Sequence, residues 1–444
     1  MTQTGIFFLA IAALAFLGLN FYRRDWGIVV FVALLPAYLV RFTMNIPGLP
    51  NLPTTFLEAL FLALFLPWLF ERGLKAEAWR GLKRWQKPIA LILVGSLVGL
   101  LVSDSWLSGL GLWRAYFLEP LLFFVIFTDV ISTAKERRRV LIAMGLTLLI
   151  IGLVAVWQKI TGWNIPNPAW RAAATRRVTF FYGFPNAIGL FAAPVTVLMA
   201  AWSASLFLSD TWRRRWWSIA AAGAAVLGVL ACLFAVSKGA LVGIFAGLVV
   251  FGLAHRRLRP VALGLIIAAS LAVSLYRPVT NLAGNIFAGR DGSSSVRLVI
   301  WDETLNMLAD RPFFGGGLSG YPTAIVPYHR AKHIEIFQYP HSLLLNFWTE
   351  VGLIGLAGFI WLVILFYVRN AGLVRRGYGW LPLALIAAMT AIVVHGSVDV
   401  PYFKNDLAMQ FWLLLGLTES LLLQHQQPGL VERAKHILRL DKGE

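Results

Sequence analysis

The chain has 444 residues, of which 59% are hydrophobic and only 14% charged, against about a quarter charged in a soluble domain. That balance excludes a soluble enzyme, a disordered chain and a fibrous one, and leaves a polytopic membrane protein. The net charge of +18 would suit nucleic acid only if the basic residues formed a water-facing patch, and their order along the chain argues against one.

Apolar runs fall near 5–21, 27–41, 54–70, 88–103, 112–131, 140–160, 185–208, 218–236, 240–254, 261–276, 343–368, 380–398 and 407–424. A bilayer crossing takes about 20 residues and several runs are shorter, so the expectation is about 12 or 13 spans. The first run lacks a basic leading segment and a small-residue cleavage site, which reads as a retained helix. The one cysteine, Cys232, allows no intramolecular disulfide and no multi-cysteine metal site.

Basic clusters occur at Arg23–Arg24, Arg72 to Lys87, Lys135 to Arg139, Arg213–Arg215, Arg256 to Arg259, Arg369 to Arg376 and Arg433 to Lys442. Each lies in an alternate connection, so the positive-inside rule assigns all of them to the cytoplasm. The excess charge is therefore topology information, and no nucleic-acid partner is expected. The whole chain reads as one integral membrane domain, 1–444, with a cytoplasmic tail at 425–444. On the opposite face lie 42–53, 104–111, 161–184, a turn at Ser237–Gly239, the long segment 277–342, and 399–406.

Within 277–342, Ser293–Ser295 can cap a helix over about 296–309, in which Leu298, Trp301, Leu305 and Leu308 recur at helical spacing. Arg311–Pro312 ends it. This predicts an amphipathic helix lying along the membrane surface. Gly315-Gly316-Gly317-Leu318-Ser319-Gly320 formally matches G-x-G-x-x-G. The dinucleotide reading needs a strand before it and a helix after it, and neither is expected, so a glycine turn that permits close backbone packing is preferred. No G-x-x-x-x-G-K-[ST] and no H-E-x-x-H occurs, so neither ATP-driven chemistry nor a protein-held catalytic metal is expected.

Among the cations left on the extracytoplasmic side are Arg176 and Arg177 ahead of Gly183-Phe-Pro-Asn186, Lys238 in Ser237-Lys238-Gly239, and Arg297, four residues before Trp301. Such placements run against the positive-inside bias. They either pair with acids such as Asp302, Glu303 or Asp399, or hold an anion such as a diphosphate, for which arginine supplies forked donors and lysine a point charge. His341, in Tyr339-Pro340-His341-Ser342, stands where the long loop turns into a span. There the positive end of the helix dipole favours a neutral imidazole, suited to act as a general base or simply to cap the helix. Glu350 lies roughly 13 Å further down the same helix, which favours a structural role. Asp399, Lys404 and Asp406 gather around Val400-Pro401-Tyr402-Phe403, where they could line an acceptor entrance or lock a loop.

The segment Arg297 to Gly355 resembles the signature region of the O-antigen ligase/polymerase family of bacterial membrane glycosyltransferases. The likeness rests on Arg297-Leu-Val-Ile-Trp301, Pro312-Phe-Phe-Gly315-Gly-Gly317 and His341-Ser-Leu-Leu-Leu-Asn-Phe-Trp-Thr-Glu350-Val-Gly-Leu-Ile-Gly355. Arg177 with Gly183-Phe-Pro-Asn186, and Ser237-Lys238-Gly239, extend it over roughly residues 170–410. Lys238 stands where the family commonly has arginine, and Ser342 where asparagine is common.

The resemblance implies an all-α fold of about a dozen transmembrane helices of the glycosyltransferase C type, with an active site on the periplasmic or extracytoplasmic face of the bacterial inner membrane. It implies a donor glycan on undecaprenyl diphosphate and transfer, with inversion, to the hydroxyl of a lipid-A core or another glycan. No metal or other cofactor is implied; membrane lipids are the remaining partners. By the same likeness His341 is the catalytic base, Arg297 a catalytic cation, and Arg177, Lys238 and Arg176 candidates for the donor diphosphate. Glu350, Asp399 and Trp301 are candidates for the acceptor side or for support. A polymerase acting on the same donor is the near alternative, and a transporter of polyprenyl-linked glycan, with ionisable Glu58, Glu119 and His395 in its spans, the distant one.

Overall fold

A computed structural model of the chain describes residues 3–44, 52–208, 212–275, 281, 284 and 292–425. The expected tail from residue 426, with its basic cluster, lies outside these residues, as do parts of the segments 42–53 and 277–342. The described helices are α1 (Gln3–Tyr22), α2 (Arg24–Ala33), α3 (Phe56–Trp68), α4 (Gln86–Leu101), α5 (Trp106–Trp113), α6 (Glu119–Val130) and α7 (Ala134–Thr161). They continue as α8 (Pro185–Phe207), α9 (Trp212–Phe234), α10 (Lys238–Ala254), α11 (Arg259–Leu275), α12 (Gly292–Asp310), α13 (Leu343–Arg375), α14 (Leu381–Gly396) and α15 (Asn405–His425). Short 3-10, π and single-turn segments link them.

Among the described residues six helical stretches are long and apolar enough to cross a membrane: Trp106–Val130, Ala134–Thr161, Pro185–Phe207, Arg215–Phe234, Leu343–Arg375 and Asn405–His425. Four more apolar helices are shorter, among them Lys238–Ala254 and Leu381–Gly396. The chain is thus a polytopic, helical membrane protein. The expected 12 or 13 spans are approached only by counting helices below the usual crossing length.

The chain divides into two compact units. The first comprises residues 1–86, 119–144 and 409–444. Its core is aromatic, with Phe31 against Phe61 and Phe123 and Phe124 against Trp412. A two-stranded antiparallel ribbon, β1 (Arg41–Met44) and β2 (Leu52–Thr55), pairs Arg41 with Thr55 and leads into α3. Glu58 closes a capping box there with Thr55, so it satisfies a helix end. Buried acids are matched: Asp129 accepts from Arg72 and from the Trp68 indole at 2.9 Å, and Glu419 from Arg84 and the Trp85 indole.

The second unit comprises residues 87–118 and 145–408. Helix α8 is almost wholly buried, and α9, α10 and α14 pack along it. The described part of the long connection does not lie as a single amphipathic stripe. α12 begins at Gly292, so Ser293–Ser295 sit inside its first turn. Its buried residues are Ile300, Glu303, Thr304, Met307 and Leu308, whereas Leu298 and Leu305 are exposed. The helix turns a mixed face inward because its own loop covers it. Met307 and Leu308 form a small core with Tyr321, Ala324 and Ile325, and Thr304 shares a 2.9 Å hydrogen bond with the Tyr321 hydroxyl. Glu303, foreseen as a partner for an outer cation, instead accepts from the Arg330 and Ala331 amides at 2.7 and 3.0 Å and bonds His329.

Helix α13 is continuous in sequence but broken at Gly352, whose φ is +67°. The glycine loop fills the break. Leu353 N donates to Phe313 O at 3.1 Å, and the Gly316 and Gly317 amides donate to Thr349 O at 2.8 and 3.1 Å. The Trp348 indole donates to Pro312 O at 2.6 Å, and Glu350 accepts from the Ser319 amide at 2.8 Å. A Cβ on Gly352 would meet Phe313 O at 2.2 Å, so only glycine allows this approach. The loop is a backbone splint for a membrane helix, as the glycine-turn reading anticipated.

Candidate active site

His341 is held from two sides. The Trp301 indole on α12 donates to Pro340 O at 2.9 Å, tying the preceding residue to the helix. Ser342 then begins α13, with its carbonyl accepting from Asn346 N at 2.8 Å. Between these anchors His341 adopts φ +50°, a left-handed backbone that non-glycine residues seldom occupy and that clusters at functional sites. Phe337 and Tyr339 meet its ring edge-on at 5.1 and 4.8 Å between centroids.

That posture aims Nδ1 at Asp399, 3.5 Å from Oδ1. The spacing suits an ion pair and exceeds an ordinary hydrogen bond, and Nδ1 has no other partner. Asp399 is buried. Burial alone would raise its pKa, yet His341, His395 and Arg297 together hold it below the usual carboxylate range. The Tyr339 phenol is pushed upward, chiefly by burial and then by the Asp399 charge.

Arg297 lies one turn before Trp301 on α12. Its Nη1 reaches Ser293 O at a long 3.4 Å, and its Nε is buried with no partner. Its charge acts on both Asp399 and Tyr339. His395 closes the other side. It occupies the last turn of α14, where its carbonyl accepts from Asp399 N at 3.1 Å, and its own Nδ1 is buried without a partner. A Cβ on Gly239 would come within 2.7 Å of the His395 ring. The missing side chain therefore lets the Ser237-Lys238-Gly239 turn sit against the imidazole.

Lys238 is the first residue of α10, and the turn that delivers it is strained at Val236, with φ +54°, an outlier for a β-branched residue. Arg177 braces this turn. Its Nε donates to Ala235 O at 3.0 Å and its Nη2 to Asn186 Oδ1 at 3.2 Å. Burial lowers its pKa from the usual arginine value. Gln158 secures the segment that follows Arg177, its side-chain amide bonding the Thr179 and Phe180 amides and Phe180 O.

The structure thus gathers His341, Asp399 and Arg297 into one cluster with His395 and Tyr339, and sets the Lys238 turn, braced by Arg177, against His395. Trp301 supports this cluster from behind. Two sequence candidates fall outside it. Arg176 donates to Lys159 O and Ile160 O at 3.0 and 2.8 Å and to Arg171 O, capping the end of α7. Glu350 belongs to the splint at the α13 break. His395 and Tyr339 were not singled out for this site from sequence. The i, i+4 spacing of His395 and Asp399 across a helix end was the available signal.

Chemically, an imidazole backed by a buried carboxylate beside several cations can take a proton and neutralise an anionic leaving group. Among the described residues no group of three or more His, Cys, Asp or Glu could hold a metal ion. Comparison with curated proteins gives no match to this chain. Residues 223–360 match the family model described as O-Antigen ligase. That segment, which carries Lys238, Arg297 and His341, is similar to the O-antigen ligase family and supports an O-antigen ligase/polymerase family, one that implies a membrane glycosyltransferase-type enzyme.

Proposed function

We propose that this protein transfers a glycan from an undecaprenyl-diphosphate carrier to an acceptor hydroxyl, that of a lipid-A core in the first instance, on the extracytoplasmic face of a bacterial inner membrane. The observation that carries this reading is the His341–Asp399 pair, set beside Arg297. With Nδ1 turned to Asp399, Nε2 is the nitrogen left to accept the hydroxyl proton, and Asp399 stabilises the imidazolium that forms. The acceptor oxygen bonds to the anomeric carbon as the bond from that carbon to the diphosphate oxygen breaks, with inversion at the sugar. The electron pair leaves on the diphosphate. Arg297, Lys238 and Arg177 offset the charge that develops there, so no divalent ion is required and chelator leaves the rate unchanged. The helices, on this reading, form a single glycosyltransferase C-type membrane domain.

Polymerisation onto a second lipid-linked glycan would use the same donor site. The transport reading loses support, because Glu58 serves as a cap and His395 lies at a helix end beside Asp399. The test is transfer by purified protein in liposomes from an undecaprenyl-diphosphate-linked oligosaccharide, with lipid-A core offered or withheld, beside His341→Ala. Product only with lipid-A core supports ligation. Longer lipid-linked chains without it indicate polymerisation, and unchanged turnover in His341→Ala removes the proposed base.

A further inference from the structure

Helix α3 carries an apolar stripe along its exposed side. Leu62, Leu66, Phe70 and Leu74 recur at i, i+4 spacing through α3 and the π turn Leu69–Gly73 that continues it, and all four are exposed. Exposure grows along the row, to 77% at Phe70 and 86% at Leu74. In a membrane protein such a stripe meets acyl chains. At 1.5 Å per residue it is roughly 18 Å long, close to the hydrocarbon depth of one leaflet, about 15 Å.

The stripe stops at Leu74, and Lys75 follows. From there a 3-10 helix, Ala76–Arg84, runs for nine residues, longer than this helix type usually persists. With three residues per turn its side chains stack in rows. One row turns inward: Ala78 and Gly81 are buried, a Cβ on Gly81 would run into Thr128 Oγ1 of α6, and Arg84 pairs with Glu419 of α15. A second row, Glu77, Arg80 and Lys83, is exposed. The Trp79 indole donates to Gly73 O at 2.7 Å, which fastens the helix to the end of the stripe.

The neighbouring arginines are already committed, Arg24 to Glu71 and Arg72 to Asp129. Among the described residues Lys75, Arg80 and Lys83 form no ion pair, and the charge of Glu77 acts on Arg72. Arg80 and Lys83 stand about 6 Å apart along a 3-10 helix. Their long side chains can close on one phosphate, with forked donors from the arginine and a point charge from the lysine.

We infer that the 62–74 stripe and the 3-10 helix Ala76–Arg84 together bind an anionic phospholipid, an acyl chain lying along the stripe and the phosphate held by Lys75, Arg80 and Lys83. The order of the two features selects the ligand. A water-soluble anion gains nothing from the stripe, and a zwitterionic headgroup brings a further cation toward three already present. Binding also steadies the fold, because the inward row of the same helix rests on α6 and α15. The assignment does not depend on the glycosyltransferase reading.

The test places the full chain in nanodiscs of phosphatidylcholine with a minor share of phosphatidylglycerol, and identifies the lipid retained after gentle extraction by native mass spectrometry. Retained lipid should be enriched in phosphatidylglycerol about threefold or more over the nanodisc, and Arg80→Ser with Lys83→Ser should return the ratio to that of the bulk. Lys135→Ser with Arg138→Ser removes two exposed charges from another basic connection and should leave the enrichment intact. Equal loss in both pairs would mean diffuse charge and overturn the site. Arg80→Lys with Lys83→Arg keeps both charges and should bind as wild type does, which separates a lost contact from a misfolded helix. Loss there as large as in the serine pair would overturn charge capture. A phosphatidylglycerol with a diazirine on its acyl chain should label peptides containing residues 62–74, and only excess phosphatidylglycerol should compete. Competition by phosphatidylcholine would make the stripe a general lipid-facing surface, and competition by inorganic phosphate would indicate a small-anion site. Either result overturns the assignment. Added phosphatidylglycerol should raise the melting temperature of the wild type, and a rise kept by the serine pair would place the steadying lipid elsewhere and overturn its role here.

Discussion

The imidazole Nδ1 of His341 lies 3.5 Å from the Asp399 carboxylate, although the two residues come from different helix ends and neither side chain meets the other through a local turn. Because the carboxylate stays ionised well below neutral pH, it holds Nδ1 on its own side of the ring and, on the proposed reading, leaves Nε2 for the acceptor. His341→Ala should lower kcat by about 10²-fold or more with the protein still folded, and Asp399→Asn, which keeps shape but removes charge, should lower kcat by a similar order. Turnover measured on detergent-purified variants that match wild type in size-exclusion behaviour checks this. Near-normal kcat in Asp399→Asn would reduce the pair to a structural contact.

Trp301 supports the same residue from behind. Trp301→Phe keeps the ring and deletes the hydrogen bond to Pro340 O. It should cost about 1 kcal/mol of stability and lower kcat more than it raises KM, since it loosens His341 without touching the donor cations. A thermal melt beside full Michaelis curves separates the two effects.

The two neighbouring arginines should part company. Arg177→Lys gives up the fork that spans Ala235 O and Asn186, so donor KM should rise about tenfold, the scale of one lost charge-assisted bond. Arg176→Ala removes a helix cap. It should cost about 1 kcal/mol of stability and leave donor KM within twofold. Equal kinetic effects would refute the division of labour between them.

Glu303 ties residues 329–331 to α12. Burial opposes its ionisation, but the Ala331 amide, His329 and the Arg330 amide outweigh it and lower its pKa below the ordinary value. Its folded pKa lies below its unfolded value of about 4.3, so its contribution is fully present above that value and disappears as pH falls through the folded pKa. Melting temperatures of wild type and Glu303→Gln, followed from pH 7 to pH 3, should differ by a constant amount down to about pH 5 and then converge. A gap that widens toward acid would contradict this.

Gly352→Ala should destabilise the protein severely. It adds a Cβ 2.2 Å from Phe313 O and a left-handed strain of about 1–3 kcal/mol. Expression and melting temperature give the readout.

Long apolar runs were legible because hydrocarbon length alone sets them: the run 240–254 corresponds to Lys238–Ala254, and 185–208 to Pro185–Phe207. The inward face of α12 was not. Spacing of Leu298 and Leu305 looked decisive, yet both are exposed, and Glu303 and Thr304 are buried beside Ile300, Met307 and Leu308 because residues of the following loop satisfy them. The break in α13 was hidden for a related reason: Trp-Thr-Glu-Val-Gly-Leu fits helical spacing, and the break depends on a loop that returns from elsewhere. His341, Arg297 and Lys238 were readable as chemistry out of place in apolar surroundings. That Asp399 and His395 join His341 at one cluster is a fact of tertiary neighbourhood, and both lie beyond the matched segment 223–360.

The splint at Gly352 also bears on how the molecule assembles. Leu353 obtains its acceptor from Phe313, and Thr349 its donors from Gly316 and Gly317, so the 33-residue α13 inserted by itself would leave backbone groups without partners. Those groups become saturated only when the upstream loop has folded back onto the helix. Docking that loop also sets Trp348 against Pro312 and, through α12, Trp301 against the residue before His341. Insertion of the span and alignment of His341 are therefore one cooperative event. A chain stalled before it would present to quality-control proteases a membrane helix with unpaired backbone groups at Thr349 and Leu353 and with His341 out of place.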